Sequence, residues 1–128
     1  MPRKPSPTLT DHELRLMEVL WSKGSATVAD VTAAVGPPPL AYNTVLSTLR
    51  TLEQKGYVAH REDGRAFVYR PSIERGQAAD SALRQLLRRF FRNSPGQLAV
   101  TLLDGAQLGD DDLARIHKAL SRKRKVSR

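Results

Sequence analysis

Residues 42–69, YNTVLSTLRTLEQKGYVAHREDGRAFVY, decide the fold. They contain, in order, a helical pattern, a glycine stop and two short β-favouring runs joined by a turn with basic side chains. This order is typical of a winged helix-turn-helix, in which one helix enters the major groove of DNA and a β-hairpin wing grips the flanking phosphates. We therefore predict a mainly α fold with a small β-hairpin wing, and a DNA-binding protein that is not an enzyme.

The helical pattern runs from about Ala41 to Lys55, and Gly56 is the expected left-handed residue after its end. One face of this helix is apolar, and the side chains on the opposite face are short and polar. Short polar side chains can donate to and accept from base edges, whereas a merely solvated helix face more often carries Glu and Lys. An ordinary solvated face is the alternative. The buried face is expected to be Val45, Leu49 and Leu52, and the polar stripe is Asn43, Ser47, Arg50 and Gln54, flanked by Thr44 and Thr51.

Two β-favouring runs, 57–61 and 66–70, follow this helix. The Asp-Gly pair between them is a strong hairpin signal, because Gly64 tolerates positive φ. Arg61 and Arg65 lie near the tip and suit phosphate contacts. In the alternative interpretation the hairpin is purely structural, and the two acidic residues of the turn cancel these charges.

Two further helices are predicted before this stretch. Thr10 and Glu13 form a capping box at the start of the first, and Thr27 caps the second with Asp30 at its third position. Glycines end both helices, and three prolines after Gly36 forbid continuation. The buried faces are expected to be Leu14, Met17, Leu20 and Trp21 in the first helix, with Trp21 held against the wing strands, and Val28, Val31 and Val35 in the second.

The remaining sequence predicts a second, helical domain. A long helix begins near Ser72, a short apolar segment covers residues 97–103, and a last helix begins near Asp110. The expected organisation is a disordered basic arm (1–9), a winged-helix domain (10–71), a helical domain (72–121) and a frayed basic tail (122–128).

The helical domain is too small to close a core of its own, so its apolar side chains need a partner surface. A second copy of the chain is the simplest partner, which makes this region a dimerisation domain. In the alternative, these helices fold back on the N-terminal domain. The expected homodimer interface comprises Leu83, Leu86, Leu87, Phe90, Phe91, Leu98, Leu102, Leu113, Ile116 and Leu120.

Composition limits the partners. The chain has 128 residues and a formal charge of +8, which favours a polyanion, but residues 1–71 hold nine Lys or Arg against seven Asp or Glu. There is no cysteine and the three histidines are scattered, so no metal site or cofactor is expected. No segment is long and apolar enough to be a signal peptide or a membrane span, so we expect a cytoplasmic protein with no membrane insertion.

The chain resembles the penicillinase-repressor family of bacterial transcription regulators, the BlaI/MecI/CopY group. The similarity is carried by LTDHELRLMEVLW (9–21), LAYNTVLSTLRTLEQKGYV (40–58) and REDGRAFVYRP (61–71), and it continues more weakly through the C-terminal helices. The resemblance implies a dimeric repressor on a dyad-symmetric promoter operator. Its implied major-groove residues are Asn43, Thr44 and Ser47 with Arg50 nearby, and its implied wing contacts are Arg61 and Arg65. From their places on the helix itself, Tyr42 and Thr51 are expected to flank these DNA contacts.

The chain departs from that family in two respects. Antibiotic-responsive members are cut at an Asn-Phe bond after a membrane sensor protease signals. The matching residues here are Thr101-Leu102, so the resemblance does not carry this route of induction over, and a signalling protease stays an unknown partner. Copper-responsive members carry C-terminal cysteine pairs, which this chain lacks.

Tyr42 could touch a phosphate or a thymine methyl, or pack on the proline turn. Two other functions also stay open: a winged helix that docks on a protein, and a ligand-responsive winged-helix regulator of another family.

Overall fold

The computed structural model describes residues 8–126, which divide into two compact units that meet between Leu86 and Leu87 in the sequence. The sheet is antiparallel, with strand order β1-β3-β2. Mainly helical content with a small sheet confirms the predicted fold class. The elements are α1 (Asp11–Lys23), β1 (Ala26–Thr27), α2 (Val28–Ala34), α3 (Tyr42–Lys55), β2 (Val58–Asp63), β3 (Ala66–Pro71), α4 (Arg75–Phe90), α5 (Pro95–Gly105) and α6 (Asp110–Val126).

Helix α1 begins at the predicted capping box. The Thr10 hydroxyl accepts from the Glu13 N–H at 3.2 Å, and the Glu13 carboxylate accepts from the Thr10 N–H at 2.8 Å. The predicted buried face is wrong at Leu14, whose side chain is 43% exposed, while Leu16 is fully buried. The buried arc is centred on Leu16 and Leu20 and also takes in Glu13, which sequence reasoning had passed over as a polar cap.

The indole of Trp21 lies at the edge of the core, where it is half-buried. Its Nε1 donates to the Ile73 carbonyl at 2.8 Å, and the Arg75 guanidinium lies 5.2 Å from the ring centre. Trp21 therefore joins α1 to the chain that leads into α4.

Helix α2 also begins as predicted. The Thr27 hydroxyl accepts from the Asp30 N–H at 3.0 Å, and the Asp30 carboxylate accepts from the Thr27 N–H at 3.1 Å. These bonds hold the pKa of Asp30 below its usual range. Just before the helix, Ala26 pairs with Tyr69 and makes a third strand that the sequence did not predict, since two residues show no alternation.

Helix α3 and the hairpin match their predictions closely. The helix ends at Lys55, Gly56 is left-handed with φ of 93°, and the three predicted core residues of α3 are fully buried. Asp63 pairs with Ala66, so the turn consists of Gly64, with φ of 65°, and Arg65. The hairpin therefore projects Arg65 at its tip.

An ion pair joins α1 to the end of α3. The Glu13 carboxylate is 4% exposed, and the Lys55 ammonium lies 2.7 Å from it. Burial by itself would raise the pKa of Glu13, but the Lys55 ammonium and the Thr10 N–H and hydroxyl outweigh it and hold that pKa below its usual range. This contact fixes the orientation of α3 on α1.

The predicted ends of the chain need correction. Leu9, assigned to a disordered arm, packs against the core, and residues 1–7 lie outside the described range. The predicted frayed tail is wrong as far as Val126, because α6 continues through it, and residues 127–128 are again outside that range. Arg and Lys are good helix formers and interact favourably with the negative end of the helix dipole.

Residues 91–94 separate α4 from α5. Arg92 and Asn93 adopt positive φ, and the Ser94 hydroxyl accepts from the Gln97 N–H at 3.1 Å to cap α5. Helix α5 has 11 residues and extends beyond the predicted segment 97–103 at both ends. Within residues 8–126, no helix is long and apolar enough to cross a membrane.

Candidate nucleic-acid interface

The outward face of α3 is the centre of the candidate site. Because the opposite face is anchored in the core, Asn43, Ser47, Arg50 and Thr51 are all exposed. Thr44 is only half-buried, since it stands at the border of the two faces. The structure thus presents the predicted polar stripe as one continuous strip along the helix.

The hydroxyl groups on this strip already donate to the helix backbone. Ser47 Oγ donates to the Thr44 carbonyl at 3.1 Å, and Thr51 Oγ1 donates to the Ser47 carbonyl at 3.1 Å. Their remaining lone pairs point away from these bonds and can accept hydrogen bonds. In this state the strip suits the amino groups of adenine and cytosine, which are donors in the major groove.

The first turn of α3 differs from those of α1 and α2. Its N-cap is Ala41, which makes no side-chain capping bond, whereas a threonine caps each of the other two helices. Uncapped N–H groups at a helix start favour an anion such as phosphate. Sequence reasoning missed this feature, although the alanine at the cap position was its signal.

The wing carries two exposed arginines in different settings. Arg61 lies 3.9 Å from the Asp63 carboxylate, and both side chains are largely in solvent, so this ion pair contributes little. Arg65 stands in the turn itself and is exposed. In the alternative interpretation the acidic residues of the turn cancel the wing charge, but in the part of the chain that the structure describes they form no ion pair with Arg65, which is available to an external anion.

An open cleft of about 480 Å³ lies between α3 and the wing. Tyr42 and Arg50 line it from α3, and Arg65 and Phe67 line it from the hairpin. Tyr42 is 50% exposed in this cleft. The structure thus brings three of the predicted contact residues together, while Arg61 does not line the cleft.

Sequence reasoning missed the exposed Phe67 and a bond between α3 and the hairpin. His60, one of the three histidines that are scattered along the sequence, has its Nδ1 2.6 Å from the Glu53 carboxylate. His60 pairs with Tyr69 on the neighbouring strand, and Phe67 lies two residues from Tyr69, so the alternation of side chains places all three on one face of the hairpin. This alternation was the signal in the sequence that could have placed His60 there.

Apolar side chains of α4, α5 and α6 remain uncovered in the single chain. Phe90 is 68% exposed and Leu102 is 54% exposed. The predicted interface residues fall into two groups. The half-buried ones are Leu87, Phe91, Leu98 and Ile116, and the exposed ones are Leu83, Leu86, Phe90, Leu102, Leu113 and Leu120.

These features define a winged-helix protein of the DNA-binding class: a helix with an outward polar strip stands beside a basic hairpin on one small core. The sequence pattern of the penicillinase repressor family matches residues 9–122. The chain belongs to the penicillinase repressor family, a family of DNA-binding transcriptional repressors and not of enzymes. The resemblance and the expectation of a non-enzyme are thereby confirmed.

Individual relatives agree with this assignment. The chain is 25% identical over 118 residues to the penicillinase repressor of Bacillus licheniformis, covering 91% of this chain and 92% of that protein. It is 24% identical over 116 residues, 90% of this chain and 80% of the relative, to an uncharacterized 16.5 kDa protein of Latilactobacillus sakei. The solution structure of the DNA-binding domain of the repressor BlaI is 31% identical with a TM-score of 0.51, covering 58% of this chain and 92% of that domain.

Proposed function

We propose that this protein is a homodimeric repressor that binds a dyad-symmetric promoter operator. Each protomer lays the outward strip of α3 in one major-groove half-site, with Asn43, Thr44, Ser47 and Arg50 on base edges and backbone. Tyr42 and Thr51 flank these contacts, and Arg61 and Arg65 grip neighbouring phosphates from the wing. Since its partner is promoter DNA, the protein acts in the cytoplasm.

One observation carries the proposal: the core buries one face of α3 completely and leaves the opposite strip in solvent beside the wing. A solvated helix would gain solubility from Glu and Lys on that strip, but it carries amide, hydroxyl and guanidinium groups instead. Such groups match the donors and acceptors of base edges. The uncapped start of α3 adds N–H groups for a phosphate.

The exposed apolar side chains support the dimer. Leaving Phe90 and Leu102 more than half exposed would be unfavourable in a monomer, because burying the exposed part of each side chain would contribute about 1–2 kcal/mol. A two-fold pair of chains covers both copies and presents two α3 strips with the symmetry of a near-palindrome. The predicted domain 72–121 serves as this dimerisation domain.

Fluorescence anisotropy with the region upstream of the gene tests DNA binding. Arg50→Ala should weaken operator binding by about 1–3 kcal/mol and binding to random duplex much less, because a base contact carries sequence information. Lys23→Ala is the matched control: it removes one exposed positive charge at the end of α1, and operator binding should be unchanged. Equal losses on both duplexes would reduce Arg50 to a phosphate contact, and no binding at low salt would favour a protein-docking module.

Sedimentation equilibrium tests the dimer. Phe90→Asp should convert the dimer into monomers, because a charge would be buried without a partner. Gln107→Asp adds the same charge at an exposed polar position of the loop before α6 and should leave the dimer intact. A wild-type chain that stays monomeric at every concentration would contradict the proposal.

A further inference from the structure

A histidine of the hairpin, His60, contacts an acidic side chain of α3, Glu53. His60 Nδ1 lies 2.6 Å from Glu53 Oε1, and each side chain is about one-third exposed. A carboxylate only accepts hydrogen bonds, so the imidazole donates through Nδ1 in this contact. The bond fixes the direction of the Glu53 carboxylate.

The His60 ring is itself held by two aromatic neighbours. Its centre lies 4.9 Å from that of Phe67, in an edge-to-face arrangement, and 5.2 Å from that of Tyr69. Tyr69 is buried and directly opposite His60 on the neighbouring strand. The imidazole therefore has a fixed place from which to hold Glu53.

Arg50, a proposed DNA contact, stands one turn before Glu53. Side chains at i and i+3 of a helix are neighbours, so an acid and a base at this spacing attract each other. Arg50, Glu53 and His60 line one shallow pocket. Tyr69 lines the same pocket: burial raises the pKa of its phenol, the Glu53 charge raises it further and the Arg50 charge opposes both.

Within residues 8–126, Arg50 and Glu53 form no ion pair with each other, although they stand at i and i+3 of the helix. The Glu53 carboxylate is engaged by His60 instead. An Arg50 guanidinium bound to Glu53 would bring less positive charge to a phosphate and would have fewer of its five N–H donors left for a base.

We propose that His60 is a positioning residue that holds Glu53 away from Arg50 and so keeps the Arg50 guanidinium available to DNA. This inference rests on the proposed function. The proposed role of His60 differs from a general role in wing stability. It requires that the loss of DNA affinity on removing His60 comes from the released carboxylate of Glu53.

Operator affinities of four variants separate these roles. His60→Ala should weaken binding by about tenfold, comparable with the loss of one arginine contact. His60→Ala combined with Glu53→Gln should restore affinity to at least the wild-type level, because the released group is no longer charged. His60→Gln, whose amide can still donate to Glu53, should retain most of the affinity. In an Arg50→Ala background, His60→Ala should have no further effect.

A DNA-free measurement keeps failure of this inference distinct from failure of the proposed function. The Arg50 Nε–H resonance should shift in His60→Ala and return in the double variant, with equal thermal stability of both variants as the folding control. If the double variant binds as weakly as His60→Ala, or if the resonance does not move, the inference is overturned. If the wild-type protein binds no operator, the proposed function fails, and the resonance still decides the Arg50–Glu53 contact.

Discussion

Lys55→Met probes the buried ion pair that fixes α3 on α1. The substitution keeps a long side chain but removes the ammonium 2.7 Å from Glu13, which is 4% exposed. Breaking a fully buried pair costs about 3–5 kcal/mol. Because the Lys55 side chain keeps a quarter of its surface in solvent, we expect a smaller loss of about 2 kcal/mol.

The loss should depend on pH in a defined direction. The folded-state pKa of Glu13 is lowered, so its contribution to stability is fully present above the unfolded-state value of about 4.3 and is lost as the pH falls through the folded-state pKa. Without Lys55, the two Lys55 contributions that lower the pKa of Glu13 are lost while the burial that raises it remains, so that pKa should rise. The difference between wild type and Lys55→Met should therefore be largest near neutral pH and shrink in acid.

Urea denaturation across this pH range is the assay, with thermal melts as a second measure. A loss of about 2 kcal/mol corresponds to about 8–16 °C in Tm for a unit of this size. Lys23→Met, which removes an exposed ammonium from the last turn of α1, should cost less than about 0.5 kcal/mol. If both variants lose the same stability, or if the loss in Lys55→Met does not change with pH, the reasoning is refuted.

Three further substitutions test local features by thermal melting. Gly64→Ala should cost about 1 kcal/mol of stability because of its positive φ alone, since an added Cβ meets no atom within 4 Å. The control is Gly76→Ala, where an added Cβ is equally unobstructed and φ is not positive, and it should change stability by less than about 0.5 kcal/mol. Trp21→Phe should cost about 1 kcal/mol by removing the bond to the Ile73 carbonyl, and an unchanged Tm would mean that this bond is not needed. Thr27→Ala should cost about 1 kcal/mol through the lost cap, and a loss below about 0.3 kcal/mol would contradict the capping box.

Local signals in the sequence were sufficient for the elements with strong end markers. The Thr10 and Thr27 capping boxes and the left-handed Gly56 were all confirmed, because each depends on residues within a few positions of one another. The core face of α3 was also readable, since its three apolar residues have a strict helical spacing.

Long-range contacts could not be read in this way. Lys55 lies 42 positions from Glu13, and nothing local to either residue predicts that the two meet. The two-residue strand at Ala26 exists only because β3 lies beside it, and the bond from His60 to Glu53 requires the fold that brings the hairpin onto α3. The DNA-contact and dimer residues stay predictions, because the single chain shows their exposure and not their partners.

The most direct test of the central claim is selection of bound duplexes from a random DNA library by the full-length protein. A pair of α3 strips related by a two-fold axis should enrich an inverted repeat whose half-sites are centred about one helical turn, or a multiple of it, apart. Enrichment of a single unsymmetric site, or of no sequence at all, would contradict a symmetric reader of base pairs.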